Sequence, residues 1–415
     1  MGAGAEPGNW KQKGLALIGG GLGVLVLAGL GLYSFLMAMA TRLHPDPQAV
    51  PSVTNAAPLQ KWADAVAQGR QLARAGLVEQ NLPGLSVAVG AGGEIVWAEG
   101  FGWADLGKRV PLAPGMRFRI GHASKPVTSA AVGLLLEKGL LRLDDEIQTY
   151  VPAFPRKQWP VTLRQLMGHV AGVRHYRGEG DYMPSAHCER ASEGLQPFAN
   201  DPLRFEPRTQ YGYSTYGWIL VSAAVEAAAD EPFSTFMRTQ IFKPLGMTDT
   251  TFDSAIAPVA DRATFYYQGF NGDPRHGREL ETKVDYSCFA GAGAILSTPS
   301  DLVRFGNAVG SGKLLQPATV TRLQTPQLLA SGEETAYGLG WMLETAQLGR
   351  GPTRLASHAS RTLLGGSTSF MTFPGRGIVV AVTTNISGKD TRSIALGIAQ
   401  AFAEQRASDA SSSKR

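Results

Sequence analysis

The chain has 415 residues, of which 44% are apolar and 18% charged, with a formal net charge of +5. That is a globular composition, and it excludes a disordered, collagen-like or low-complexity protein. The Lys and Arg residues form no long run, so no nucleic-acid partner is expected; Cys188 and Cys288, the only cysteines, lie outside any CxxC pair and are too few for a disulfide scaffold or a zinc site.

Residues 1–13 form a short tail carrying Lys11 and Lys13. From Gly14 to Ala40 there is no charged residue, and Arg42 follows. Roughly 27 helical residues would extend about 40 Å, beyond the ~30 Å hydrocarbon core. The segment therefore reads as a transmembrane signal-anchor over 14–40. The lysines before it favour a cytoplasmic N-terminus and an exported, periplasmic-type body. Ala38-Met39-Ala40 leaves a cleaved signal peptide open as the alternative, and either reading exports the body. Residues 41–58, rich in proline and small residues, read as a linker.

The body spans 59–407. Apolar residues recur at helical spacing from Leu59 to Leu77 and stop at Pro83-Gly84. Two alternating runs around Gly92-Gly93 predict a β-hairpin. Helical patterns then cover most of Ser124–Gly139, Thr162–Gly168, Tyr213–Ala229 and Pro232–Ile241. A second hairpin-like pair surrounds Pro374-Gly375, a helix follows over Thr391–Gln405, and the tail 408–415 is expected to be disordered. The predicted class is α/β of the α+β kind. One antiparallel sheet is built from both ends of the body and flanked by terminal helices, with an all-α insertion between them.

Several motifs lie in order along this frame: PGLSVAV from Pro83, FRIGHASKP from Phe118, VTLRQLMGHVAG from Val161, YGYSTYGWILV from Tyr211, KPLGM from Lys243, LSTPSDLVRFGNA from Leu296 and YGLGW from Tyr337. Together they resemble the serine β-lactamase and penicillin-binding-protein superfamily, in its class C, esterase and LACTB-like branch, from about residue 60 to about 405. The resemblance implies an active site in the crevice between sheet and helical domain.

The first motif of that family is Ser-x-x-Lys. Positions i and i+3 of a helix share a face, so the lysine reaches the serine hydroxyl and can take its proton. Aligning Lys125 with the motif lysine puts His122 at the nucleophile position. Ser124 lies about 200° around the helix from 122 and does not replace it; it reads as a polar group at the helix start. The second motif, Tyr-x-Asn, corresponds to Tyr213-Ser214-Thr215. The resemblance makes Tyr213 a proton carrier, and Thr215 keeps a hydroxyl while losing the carboxamide that would hold an acyl amide. The third, Lys-Thr-Gly or His-x-Gly, corresponds to His358-Ala359-Ser360, with Ser360 in place of the glycine that lets a substrate approach the strand.

Away from these motifs, His169 is expected to bond a loop. Arg174-His175-Tyr176 reads either as a specificity loop or as a surface excursion. His175, His187 and His276 lack metal-ligand spacing, so no metal and no cofactor are expected, and whether Cys188 and Cys288 pair is left open. The expected function is a membrane-anchored serine hydrolase, peptidase or esterase, acting on a small peptide, ester or cell-wall-derived substrate and impaired by His122. The alternative is an inactive relative whose cleft binds a peptide, peptidoglycan fragment or protein partner. A third possibility, His122 itself serving as base or nucleophile, has no second group in the sequence matched to it.

Overall fold

Strand Gly84–Ala91 (β2) is buried along its whole length, and the tight turn at Gly92-Gly93, both at positive φ, reverses it into Glu94–Asp105 (β3). At the other end of the body, Gly366–Phe373 (β6) turns through Pro374–Arg376 into Ile378–Thr384 (β7). The two hairpins join when β7 pairs antiparallel with β2, Thr384 opposite Leu85. Met342–Leu348 (β4) and Gly351–Thr362 (β5), which the sequence pattern does not reveal as a hairpin, extend the sheet beyond β6. The strand order is β1-β3-β2-β7-β6-β5-β4, with Val110–Pro111 pairing on β3 as well. Here β1 is Ser52–Thr54, so the expected linker contributes an edge strand. The computed structural model describes residues 26–35, 42–55, 57–182, 185–256, 259–267, 284–349, 351–362 and 365–412.

Alternation divides the sheet into two faces. Val87, Val89, Val380, Val382 and Met371 face helices Ala63–Glu79 (α1) and Thr391–Ser412 (α5), which supply Ala73, Leu77, Ile398 and Phe402 to one core. Two glycines make that contact close: a Cβ at Gly69 would come within 2.8 Å of the Trp97 ring, and one at Gly76 within 2.5 Å of Ile394. Helix α5 continues through Ser412, into the tail expected to be disordered.

Ala88, Ala381, Phe370 and Ala356 face the other way, into a core with the helical insertion. Pro299–Gly310 (α4) covers this face, its N-terminus capped by Thr298, whose hydroxyl accepts from the Asp301 amide. The insertion is organised around Ser124–Glu137 (α2) and Thr215–Ala229 (α3), whose buried Trp218, Ile219, Leu220 and Val221 leave no polar face. The same face carries Ser86, Thr383, Thr368 and Ser360, directly opposite one another across β2, β7, β6 and β5. All four hydroxyls are buried without a partner among the described residues.

The anchor expected over 14–40 lies mostly outside the described residues. Residues 26–35 are helical, with Leu27, Leu30 and Phe35 exposed. Among the described residues no helix is long and apolar enough to cross a membrane.

Candidate active site

Strand Phe118–Arg119 hands the chain through Gly121, at φ 51°, into a single 3-10 turn, Gly121–Ala123, that runs straight into α2. This places His122 at the start of the helix and Lys125 one turn on, on the same side. The opposite wall comes from the segment entering α3, which carries Tyr213 and Thr215, with Ser214 capping α3 through its hydroxyl. The third wall is β5, with His358 and Ser360.

The expected residues converge. His122 Nε2 and Thr215 Oγ1 share a hydrogen bond of 3.1 Å. The rings of His122 and Tyr213 lie 5.5 Å apart, Lys125 Nζ sits 4.9 Å from the Tyr213 ring centre, and His358 is 6.4 Å from the same ring. Lys125 donates to the Ala292 carbonyl at 3.3 Å. Ser360 follows His358 on the same face of β5, but its buried hydroxyl meets no partner among the described residues. Ser124 is fully buried and its hydroxyl has no partner among the described residues, so it does not cap α2 as a helix-start serine would.

Electrostatics assign a proton to each group. Burial holds the Lys125 amine well below its ordinary range, toward the free-base form. Burial, reinforced by Tyr176 and Tyr211, pushes the Tyr213 phenol well up and keeps it a protonated donor. Burial and then Lys125 hold His122 well below an ordinary histidine, as a neutral imidazole. His358 is lowered to about 3 by burial and Lys125. Its Nδ1 lies 3.1 Å from the Ala359 carbonyl and must donate, so Nε2 accepts from the Tyr337 hydroxyl at 2.9 Å.

The loop histidines are part of this arrangement. His169 Nδ1 accepts from the Ser214 amide at 3.1 Å, the backbone contact expected of it, while its ring lies 4.2 Å from Tyr213 and 4.6 Å from Tyr337. His175 accepts from the Thr215 amide at 3.3 Å and stacks on Tyr176 at 4.1 Å. Arg174-His175-Tyr176 is thus a wall of the site, with Arg174 buried between Asp181 and Asp201. A cavity of about 30 Å³ opens beside His122 between Arg119, Tyr176, Tyr286 and Phe289.

The segment Ser287–Ala292 closes that side. Ala290 adopts φ 42°, an uncommon conformation for alanine, and its neighbours are tied down: the Gly291 carbonyl accepts from Thr128 at 2.9 Å and the Gly291 amide donates to Ser222 at 3.1 Å. A disulfide joins Cys288 of this segment to Cys188, 100 residues away in sequence. Beside it, Asp285 and Ser287 both address His187 through the same nitrogen, Nδ1, at 2.8 and 3.3 Å. A Ser-His-Asp relay needs its partners on opposite ring nitrogens, so this cluster is a loop clasp.

Tyr337 and the Ala292 carbonyl are site elements that spacing alone does not reveal. Tyr337 lies inside YGLGW, but nothing in that run points to His358, 21 residues on.

A lysine and a tyrosine facing one helix start beside a sheet strand is the arrangement of the β-lactamase-fold serine hydrolases. The chain belongs to that family: the Beta-lactamase family profile matches residues 62–403. It is 29% identical to the serine beta-lactamase-like protein LACTB, mitochondrial, of Mus musculus, over 83% of this chain and 82% of that protein. It is also 29% identical to penicillin-binding protein 4* of Bacillus subtilis, over 63% of this chain and 60% of that protein. Among solved structures, a D-amino acid amidase from Ochrobactrum anthropi superposes with a TM-score of 0.68 at 23% identity, covering 84% of this chain and 99% of that one. The octameric penicillin-binding protein homologue from Pyrococcus abyssi gives 0.67 at 22%, covering 80% and 76%; both likenesses speak to the fold.

Proposed function

We propose that the crevice is an acyl-transfer site of the peptidase or esterase kind, for a small peptide, ester or cell-wall-derived substrate, disarmed at one atom. The observation that carries this reading is the group formed by Lys125, Tyr213 and Thr215 around position 122. An amine that burial holds toward its free-base form and a phenol held in its protonated form stand as base and acid, while an imidazole occupies the place from which a serine hydroxyl would attack. With a serine there, its oxygen would bond to the substrate carbonyl carbon. Its proton would pass to Lys125, and the leaving group would be protonated from the Lys125–Tyr213 pair. His122 offers no hydroxyl, and Nε2 is engaged by Thr215, so acylation is slow.

The test compares the unaltered chain with His122→Ser, each treated with a fluorophosphonate and a chromogenic ester and read by intact mass. The variant should gain the adduct and exceed the unaltered chain in ester turnover by at least ~10³-fold. Equal labelling of the unaltered chain would refute the disarmed reading, and peptide mapping would identify the residue that reacts. A folded variant that labels no better would favour the second reading, a cleft that binds peptides or a partner without turnover, for which His122 itself is the supporting observation.

The uncharged run 14–40 supports attachment of the body to a membrane through its N-terminal segment, with the body on the exported, periplasmic-type side. Extraction with alkaline carbonate should leave the chain in the membrane fraction, and protease added to intact cells or spheroplasts should digest the body; release by carbonate would overturn the anchor.

A further inference from the structure

The imidazole at position 122 is hydrogen-bonded to a hydroxyl. His122 Nε2 and Thr215 Oγ1 lie 3.1 Å apart, within the reach that a hydroxyl nucleophile needs of its base. The two residues come from different elements, His122 from the 3-10 turn that opens α2 and Thr215 from the first turn of α3, 93 positions on. The Thr215 backbone is held independently of this bond: Ser214 caps α3 with its hydroxyl, and the Thr215 amide donates to His175 Nδ1 at 3.3 Å. The serine hydroxyls nearby have no such base. Those of Ser124 and Ser360 meet no partner among the described residues, and that of Ser214 donates to the Arg174 carbonyl at 2.7 Å.

The protons fit a transfer from Thr215 to His122. Burial and then Lys125 keep His122 neutral, so one ring nitrogen is an acceptor. The Tyr176 phenol, which burial pushes well above its ordinary range and keeps protonated, hydrogen-bonds the Thr215 hydroxyl from the other side. With the phenol donating to Thr215, the Thr215 proton is left for His122 Nε2, which assigns the imidazole proton to Nδ1. Thr215 itself is fully buried, but both of these partners, His122 and Tyr176, line the cavity of about 30 Å³. A space of that size takes about one water molecule or methyl group, so the acyl group it admits is short.

We propose that Thr215 is the nucleophile of a slow residual acyl transfer, with His122 as its general base and a short-chain acyl ester as the substrate. The proposal rests on the reading of the crevice as an acyl-transfer site. Thr215 Oγ1 bonds to the acyl carbonyl carbon while its proton passes to His122 Nε2. The bond from that carbon to the alcohol oxygen breaks, the oxygen keeps the electron pair, and the imidazolium returns the proton to it. Water then adds to the threonyl ester with His122 again as base, and Thr215 Oγ1 leaves and regains its proton as the acid is released. The hydroxyl is secondary and its side chain stiff at χ1, so this route is slower than that of a serine at position 122.

The full chain in detergent is incubated with p-nitrophenyl acetate, and the acetylated residues are mapped by peptide mass spectrometry before and after neutral hydroxylamine, which cleaves an oxygen ester and spares a lysine amide. We expect hydroxylamine-sensitive acetylation at Thr215. Thr215→Ser should keep it at that position, whereas His122→Gln should slow it by about 10²-fold and Thr215→Val should abolish it, with thermal unfolding showing that each variant is folded. If Thr215→Val does not fold, the map of the unaltered chain decides. Acetylation confined to other residues, no acetylation at all, or an unchanged rate in folded His122→Gln would each overturn the threonine nucleophile. The His122→Ser variant separates this inference from the reading beneath it: an adduct at position 122 of that variant with Thr215 unreactive in the unaltered chain would sink the inference alone, and no adduct on either chain would remove acyl transfer as well.

Discussion

Replacing Lys125 by methionine should stabilise the protein, and the gain should depend on pH in a calculable way. Lys125 is 0% exposed, and among the described residues its one hydrogen bond is that of 3.3 Å to the Ala292 carbonyl. Burial therefore holds its folded pKa well below the unfolded value of about 10.4. Between those two values the unfolded chain carries one proton more than the folded one. Stability then rises with pH by about 1.4 kcal/mol per unit, and the cost of burying the amine shrinks to zero as the unfolded lysine also becomes neutral. Methionine has similar length and no proton to lose; it forfeits about 1 kcal/mol for the abandoned carbonyl and removes the pH-dependent cost. Denaturant unfolding of both proteins from about pH 7 to about pH 10 should show the variant ahead at the low end, with the margin closing as pH rises. Other groups, including half-buried Lys389, titrate in both proteins and cancel in the difference. A margin that stays constant over this range would show that Lys125 keeps its proton in the fold, and with it the assignment of a free-base amine would fall.

Further outcomes follow from packing. Thr368→Val and Thr383→Val, which swap an unpartnered buried hydroxyl for a methyl, should each raise stability by about 1 kcal/mol in thermal or denaturant melts; a loss would mean that the hydroxyl is hydrogen-bonded in solution. Reducing the Cys188–Cys288 bond, or replacing both residues by alanine, opens a loop with a sequence separation of 100 and should cost up to about 4.7 kcal/mol, read as a lowered Tm with and without reductant; an unchanged Tm would show that the clasp of Asp285 and Ser287 on His187 suffices.

Where one physical rule governs a segment, the sequence is readable. The hairpin expected around Gly92-Gly93 and the helix expected over Ser124–Gly139 appear in the structure within a few residues, because nothing competes with the pattern. The β4–β5 hairpin is hidden because its strands mix Thr, Ala, Gln, Arg and Ser with few large apolar residues, so no apolar alternation emerges in the sequence, although only β4 is the edge strand and β5 is paired on both sides. At the site, His122, Lys125, Tyr213, Thr215 and His358 are found by motif. The contacts that set their protons are not: the Tyr337–His358 bond and the Lys125–Ala292 bond bridge 21 and 167 positions and depend on how the sheet meets the helical domain. The disulfide is the same kind of fact, since two cysteines establish the possibility of a bond and only the fold brings them together.

The joining of β2 to β7 bears on how the chain is made. The Thr384 hydroxyl donates to the Gly84 carbonyl across 300 residues, and α5, the last helix, packs on α1, the first helix of the body. A ribosome delivering a few residues per second would leave the far edge of β2 unpaired until nearly the whole body had emerged. The helical insertion, with its local contacts, can condense in the meantime. A chain cut short before residue 378 would thus present the open edge of β2 to whatever strand came first, which makes the last few dozen residues the step that commits the protein to its native state and protects it from aggregation.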